Sequence, residues 1–261
     1  SGNTAIGTFA LQTNTFGDFN TAVGKNALIS ANSNRNTAVG TGSLELTTSG
    51  AGNTAIGAFA LQNNVWGSNN TAIGRQAGVA AGYNPTNFSA LGYAAGYVGS
   101  GSNSIELGNS SVGWIGGQVG FYNYSDRRIK RDIQPDIPGL AFIQKLKPVT
   151  YFLDIHKQNE MTKGLPDEDW EGKYDIEKVK QSGFIAQEVA AAANEIGYDF
   201  SGVKAPVDAS GLYSIQYASF VVPLVKAVQE QQQIIDHYEK RMQALEAQFK
   251  ALEAKLNRGE R

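Results

Sequence analysis

Asn3-Thr4-Ala5-Ile6-Gly7 returns along the chain as Asn20 to Gly24, Asn36 to Gly40, Asn53 to Gly57 and Asn70 to Gly74. Degenerate copies follow at Ser89-Ala90-Leu91-Gly92 and Ile105-Glu106-Leu107-Gly108. The closing glycines lie 16 to 18 residues apart, so one structural unit recurs at nearly constant length. A unit this short cannot bury an apolar face alone, and successive units must stack. Thr-Ala-Ile reads as a short strand and the glycine as a turn. Ala10-Leu11, Ala27-Leu28 and Ala60-Leu61 read as a second short strand. The expectation is a β-solenoid or roll with two strands per turn. Ile6, Val23, Val39, Ile56 and Ile73 are then expected to form an internal column, and Asn3, Asn20, Asn36, Asn53 and Asn70 an amide ladder that satisfies turn backbone groups.

Beyond the repeats, the composition changes at Ser125. Ahead of it lie 22 of the 30 glycines and only three basic residues (Lys25, Arg35, Arg75) against three acidic ones (Asp18, Glu45, Glu106). Two polypeptides of different physical kind are joined there. The net charge of -2 and the interruption of Arg127, Arg128, Lys130 and Arg131 by Asp126 and Asp132 argue against nucleic acid or a membrane surface as partner. No apolar run is long enough to span a bilayer, and the start at Ser1-Gly2-Asn3 reads as that of a fragment. With no cysteine there is no disulfide and no thiolate metal site.

Phe16 and Trp66 occupy equivalent places in the variable loops of the first and fourth repeats. Two readings stand: cover for the ends of stacked turns, or stacking platforms for sugar rings. Tyr83, Tyr93 and Tyr97 carry the same pair of readings. The pentapeptide units resemble the head repeats of trimeric autotransporter adhesins and related phage fibre proteins, over residues 3 to about 108. That resemblance implies three chains packed side by side. The spacing here is longer than the adhesin unit, and an intertwined three-chain β-helix is the alternative winding.

Past the Gly- and aromatic-rich stretch 109–124, three motifs follow in order: Ser125 to Ile133, then Gly183-Phe184-Ile185-Ala186-Gln187-Glu188-Val189, then Tyr213-Ser214-Ile215-Gln216-Tyr217 leading into Val221 to Gln231. Together they resemble the self-cleaving intramolecular chaperone at the C-termini of phage endosialidases, tailspikes and tail fibres, and in the myelin-gene regulatory factor. The resemblance implies a chaperone that trimerises, folds the fibre upstream and cuts itself off with a serine-lysine dyad. Carried onto this sequence, it implies Ser125 as nucleophile, Lys130 as general base and Tyr124-Ser125 as the scissile bond.

The residues support that chemistry on separate grounds. A serine hydroxyl needs a base, and a lysine serves as one when desolvation or neighbouring positive charge depresses its pKa. Arg127, Arg128 and Arg131 supply positive charge, while Asp126 and Asp132 oppose it. Five residues along a helix turn about 140°, and an odd separation on a strand points side chains to opposite faces. A bend is therefore required, expected to be held by tertiary or neighbouring-chain contacts. The bland alternative is Ser125 as a helix N-cap and Lys130 as a solvated charge.

Residues 139–217 read as α+β, with a helix at Ile185 to Ile196. From Val221 the residues Leu224, Val228, Gln231, Ile235, Tyr238, Met242, Leu245, Phe249, Leu252 and Leu256 recur in steps of three and four, a heptad seam whose bulky members favour more than two strands. Asp167, Glu168, Asp169 and Glu171 lack calcium-loop spacing, the glycines near Trp114 lack the lysine of a phosphate loop, and His156 and His237 have no clustered acidic partner. No metal or cofactor is expected.

The resulting expectation is a mainly β trimeric fibre (repeat domain 1–108, linker 109–124), then an α+β chaperone and autoprotease domain (125–220) and a trimeric coiled coil (221–261). Its partners are two further copies of itself and a cell-surface glycan or other envelope receptor met by Phe16 and Trp66. The expected site is a virion tail fibre or extracellular surface, after synthesis in the bacterial cytoplasm. The rival is an uncleaved adhesin that keeps the chaperone fold as a trimerisation cap. A polysaccharide-cleaving head is disfavoured, because its three carboxylates lie in different repeats.

Overall fold

The computed structural model describes residues 2–78, 82–96, 101–162, 168–206, 211–257 and 259. Its first compact unit comprises residues 1–119, 151–181 and 207–211, and its second comprises 120–150, 182–206 and 212–261.

In the first unit seven strands, β1 (Thr4–Ile6), β2 (Thr21–Val23), β3 (Thr37–Val39), β4 (Thr54–Ile56), β5 (Thr71–Ile73), β6 (Phe88–Leu91) and β7 (Ser104–Leu107), pair in chain order into one sheet. All pairings are parallel, and the pentapeptides are in register: Ala5 opposes Ala22, Ala22 opposes Ala38, and so on along the column. This is a β-solenoid of about six turns.

The inside of the solenoid differs from the expected one. The middle alanine of each strand is the buried residue, with Ala22, Ala38, Ala55 and Ala72 fully enclosed, whereas Ile6 is 61% exposed and Ile56 and Ile73 are each 41% exposed. The branched column faces out because side chains alternate along a strand, so burying alanine turns its neighbours away. The larger core residues come instead from the segment after each strand. There Leu28, Leu44 and Leu61 are buried.

That segment is also not a second strand. Ala10 N–H donates to Gly7 O and Gln12 N–H to Phe9 O, with φ of 62° at Phe9 and 53° at Leu11, the pattern of consecutive type II turns. The left-handed region costs an ordinary residue about 1–2 kcal/mol, and burying a leucine returns about 1.5–3 kcal/mol, so enclosure sustains the turn. The closing glycines need their identity for another reason. A Cβ on Gly40, at φ +134°, would sit 2.6 Å from the backbone of Gly57 in the next turn.

The asparagine ladder forms as expected. Asn20, Asn36, Asn53 and Asn70 are fully buried. Each side-chain Oδ1 accepts the N–H of the equivalent residue one turn on: Asn20 from Asn36, Asn36 from Asn53, Asn53 from Asn70, then Asn70 from Phe88. The same amides donate Nδ2 to carbonyls across the turn, Asn53 to Gly67 O and Asn70 to Pro85 O.

In the second unit the short helix α1 (Leu140–Ile143) precedes β8 (Val149–Tyr151). Helix α2 (Ile155–Thr162) belongs to the first unit. Strand β9 (Gln181–Gly183) pairs with β8, helix α3 spans Ala186–Glu195, and β10 (Val203–Lys204) pairs antiparallel with β11 (Ser214–Ile215). The expected α3 is therefore present within a residue at each end. Phe142, Val189, Ala192, Ala193, Phe200 and Phe220 form the core, with the rings of Phe142 and Phe200 4.9 Å apart.

Helix α4 (Val221–Asn257) runs 37 residues, about 55 Å, with Pro223 in its first turn. Val228, Met242, Leu245, Phe249 and Leu252 are more than half exposed, so the heptad seam lies uncovered in the single chain, consistent with a coiled coil. Among the described residues no helix is long and apolar enough to cross a membrane.

Candidate functional site

The junction between the two compositions is an exposed turn. Asp126 caps a 3-10 turn at Arg127–Ile129: its Oδ1 accepts Arg128 N–H at 2.8 Å, and its carbonyl accepts Ile129 N–H at 3.2 Å. Lys130 ends the turn in an extended conformation (φ -108°, ψ 135°), its own N–H donating to Arg127 O. This folds the side chain of Lys130 back along the chain. Its Nζ donates to Ser125 Oγ at 2.7 Å.

Within the single chain, the bend that the spacing demands is made from hydrogen bonds among residues 126–130, all exposed. The tertiary contacts that were one of the two expected supports are not what shapes it; the other, contacts from a neighbouring chain, lies outside a single chain. Aspartate at an N-cap followed by a turn is a local signal, and the sequence carried it. The cap is Asp126 and not Ser125, which leaves the Ser125 hydroxyl to Lys130. The Arg128 guanidinium grips the Asp126 carboxylate through Nε and a terminal nitrogen, the closest contact 2.6 Å. That hydrogen bond holds the Asp126 carboxyl below the usual carboxylate range. Arg128 and Asp126 therefore offset one another, and the opposition expected between them over Lys130 is largely internal to the pair. Tyr124, on the other side of the Tyr124-Ser125 bond, is 97% exposed.

Of the other candidates, Phe16 is 85% and Trp66 61% exposed, so in the single chain neither covers the end of a turn. They occupy matching geometry: the N–H of each donates to an asparagine Oδ1 one turn on, Asn32 for Phe16 and Asn84 for Trp66. Tyr83 packs on the solenoid core, and Tyr93 packs edge-on to Trp170. Tyr97 and Asp167 lie outside the described residues.

His156 has the acidic partner the sequence did not reveal. Its Nδ1 lies 2.9 Å from Glu177 Oε1, and with Asp154 the three groups fall within 4.8 Å of one another. The bonds already made there are structural. Glu177 Oε1 also accepts the N–H groups of Ile155 and His156, and Asp154 Oδ1 accepts that of Lys157, so both carboxylates serve the start of α2. The His156 hydrogen bond lowers the Glu177 pKa.

These features define a class: a β-solenoid array followed in sequence by an α+β unit and a long helix with an open apolar seam, with a serine-lysine contact at the join. Residues 125–198 match the family model described as chaperone of endosialidase, a peptidase family of self-cleaving intramolecular chaperones, and the match starts on Ser125 itself. No curated protein and no solved structure matches the chain.

Proposed function

We propose that the chain is the receptor-binding end of a homotrimeric phage-type fibre, made with a C-terminal intramolecular chaperone that releases itself at Tyr124-Ser125. One observation carries the reading. A lysine amine lies 2.7 Å from a serine hydroxyl at the residue where the family match begins. In its neutral form Lys130 takes the Ser125 hydroxyl proton as Oγ bonds to the Tyr124 carbonyl carbon. The carbon–nitrogen bond then breaks, and the proton passes to the Ser125 nitrogen. Water hydrolyses the resulting ester, restoring the Ser125 hydroxyl and leaving a carboxylate on Tyr124. The reaction is single-turnover and needs no cofactor.

Trimer formation is supported by two uncovered apolar surfaces. One is the α4 seam, and the other is the outward column that includes Ile6, Ile56, Ile73, Leu91 and Leu107. Contiguous exposed apolar surface of this extent marks an interaction site, and copies aligned by a parallel coil would present identical columns to one another. A glycan or other cell-envelope component is the proposed receptor, met by Phe16 and Trp66 and strengthened by threefold avidity. The proposed location is a virion tail fibre or extracellular surface, after synthesis in the bacterial cytoplasm.

The test is a denaturing gel of freshly purified protein, with N-terminal sequencing of the smaller fragment. Two bands, one beginning at Ser125, and a single band for Ser125→Ala and for Lys130→Ala, are expected. A single wild-type band favours the rival reading, an uncleaved adhesin capped by its chaperone fold.

A further inference from the structure

Residues 151–162 and 168–181 lie after the proposed cut yet fold as part of the first unit, against solenoid residues that lie before it. The contacts are specific. Arg75, one of only three basic residues ahead of Ser125, forms an ion pair with Glu168. Its guanidinium carbon lies 5.0 Å from the Tyr93 ring centre, and one of its nitrogens donates to the Tyr93 hydroxyl at 3.2 Å. That hydroxyl donates in turn to Glu168 at 3.3 Å. Trp170 meets Tyr93 edge-on, with ring centres 5.3 Å apart. The nearly buried Lys173 fixes the arm from behind: its Nζ donates to Glu168 O at 2.6 Å and lies 4.9 Å from the Trp170 ring centre. A turn further along, Ser110 Oγ donates to Asn159 Oδ1 at 2.8 Å.

We infer that 151–162 and 168–181 form a clasp whose partner is the chain's own upstream array, and that it keeps 1–124 bound to 125–261 after the Tyr124-Ser125 bond is cut. Cleavage on this account produces a nicked complex rather than two free products. Release becomes a separate step that requires the clasp to open. The contact has two components with different responses. Arg75 and Glu168 are 41% and 53% exposed, so their attraction is screened by salt. The Tyr93–Trp170 contact is an aromatic pair whose strength salt leaves largely unchanged. Salt alone should loosen the clasp without opening it.

The inference rests on the proposed cleavage for its biological meaning, but its test does not. In full-length Ser125→Ala protein, an external protease site inserted between Gly120 and Phe121 allows the chain to be cut at will, and a C-terminal affinity tag then recovers the C-terminal part. The expected result is that the N-terminal part co-purifies through a high-salt wash. Trp170→Ala should lower the retained fraction at least about ten-fold. Arg75→Glu should lower it as well, and adding Glu168→Arg should restore it, a rescue that general misfolding would not give. Separation of the parts in the parent protein, or unchanged retention in both Trp170→Ala and Arg75→Glu, overturns the clasp. Cleavage that persists in Ser125→Ala before the protease is added would sink the proposed dyad and leave the clasp intact.

Discussion

Replacing Asn70 with alanine should cost the solenoid more than replacing Asn53, although the two sit at the same place in successive turns. Asn70 Oδ1 accepts Phe88 N–H at 3.0 Å, and its Nδ2 donates to Pro85 O at 2.8 Å. Both partners are buried, and among the described residues Asn70 is the only partner of Pro85 O. Among the described residues Asn70→Ala therefore strands one donor and one acceptor. Each stranded group costs about 1–3 kcal/mol, together about 2–6 kcal/mol. At one decade per 1.4 kcal/mol, amide protection in residues 85–92 falls between about 30-fold and about 10⁴-fold. Asn53 also makes two bonds, but Gly67 O keeps a second donor, Asn64 Nδ2 at 2.9 Å, so Asn53→Ala strands only the Asn70 N–H. Its cost should fall near half. Native-state hydrogen exchange read by mass spectrometry on peptides covering 64–92 measures both. Protection within three-fold of wild type in Asn70→Ala, or equal losses in the two variants, would refute the reasoning that bonds across the turn hold the array together.

Asp126→Ala should slow cleavage roughly ten-fold without abolishing it, since a lost cap loosens the turn and leaves Ser125 and Lys130 in place; the readout is the rate at which uncut protein disappears. Because the Asp126 pKa is depressed in the folded turn, capping is fully present above the ordinary carboxylate pKa and is lost as pH falls through the lowered value, so any acid loss of rate that is missing in Asp126→Ala belongs to this group. Lys130→Arg should be uncut on a denaturing gel, because arginine stays protonated. Phe16→Ala and Trp66→Ala should leave the melting temperature unchanged and weaken binding to host cells or a glycan array; lost stability with intact binding would make them structural. Leu245→Lys in the exposed α4 seam should shift the protein from trimer to monomer by light scattering.

The repeat, its parallel stacking and its asparagine ladder were legible in the sequence because each follows from a residue recurring at one interval. Which face of the strand turns inward was not. Thr-Ala-Ile alternates equally well in either phase, and the usual preference for placing the larger apolar residue inside gave the wrong one. The cross-section decides the matter. Leucines carried on the neighbouring turn segment share one buried core with the strand alanines, so the larger side chains come from the turn and the small ones from the strand. The turn segment carries its own signal when the copies are compared. Phe9, Asn26, Gly42, Phe59 and Gln76 occupy equivalent positions and all have φ between 56° and 65°. Two of the five are asparagine and glycine, the residues that tolerate the left-handed region best, so aligning the copies exposes a turn where a single copy suggests a strand.

At the junction, spacing showed that neither helix nor strand could join Ser125 to Lys130, which made a bend a requirement without saying what would hold it. The answer lay between the two residues. Asp126 reaches only two residues along to cap the turn, and Arg128 closes on the same carboxylate, so the contact is assembled by its own short segment. His156 shows the opposite limit: Glu177 is 21 residues away and reaches it only because the fold brings the start of α2 against the turn that carries Glu177. Pairs joined by one local turn can be argued from sequence, whereas pairs joined by packing cannot. The clasp belongs to the second kind. Arg75 and Glu168 are separated by 93 residues and by the proposed cut itself, so an interaction that could govern the release of the chaperone leaves no mark in either stretch of sequence alone.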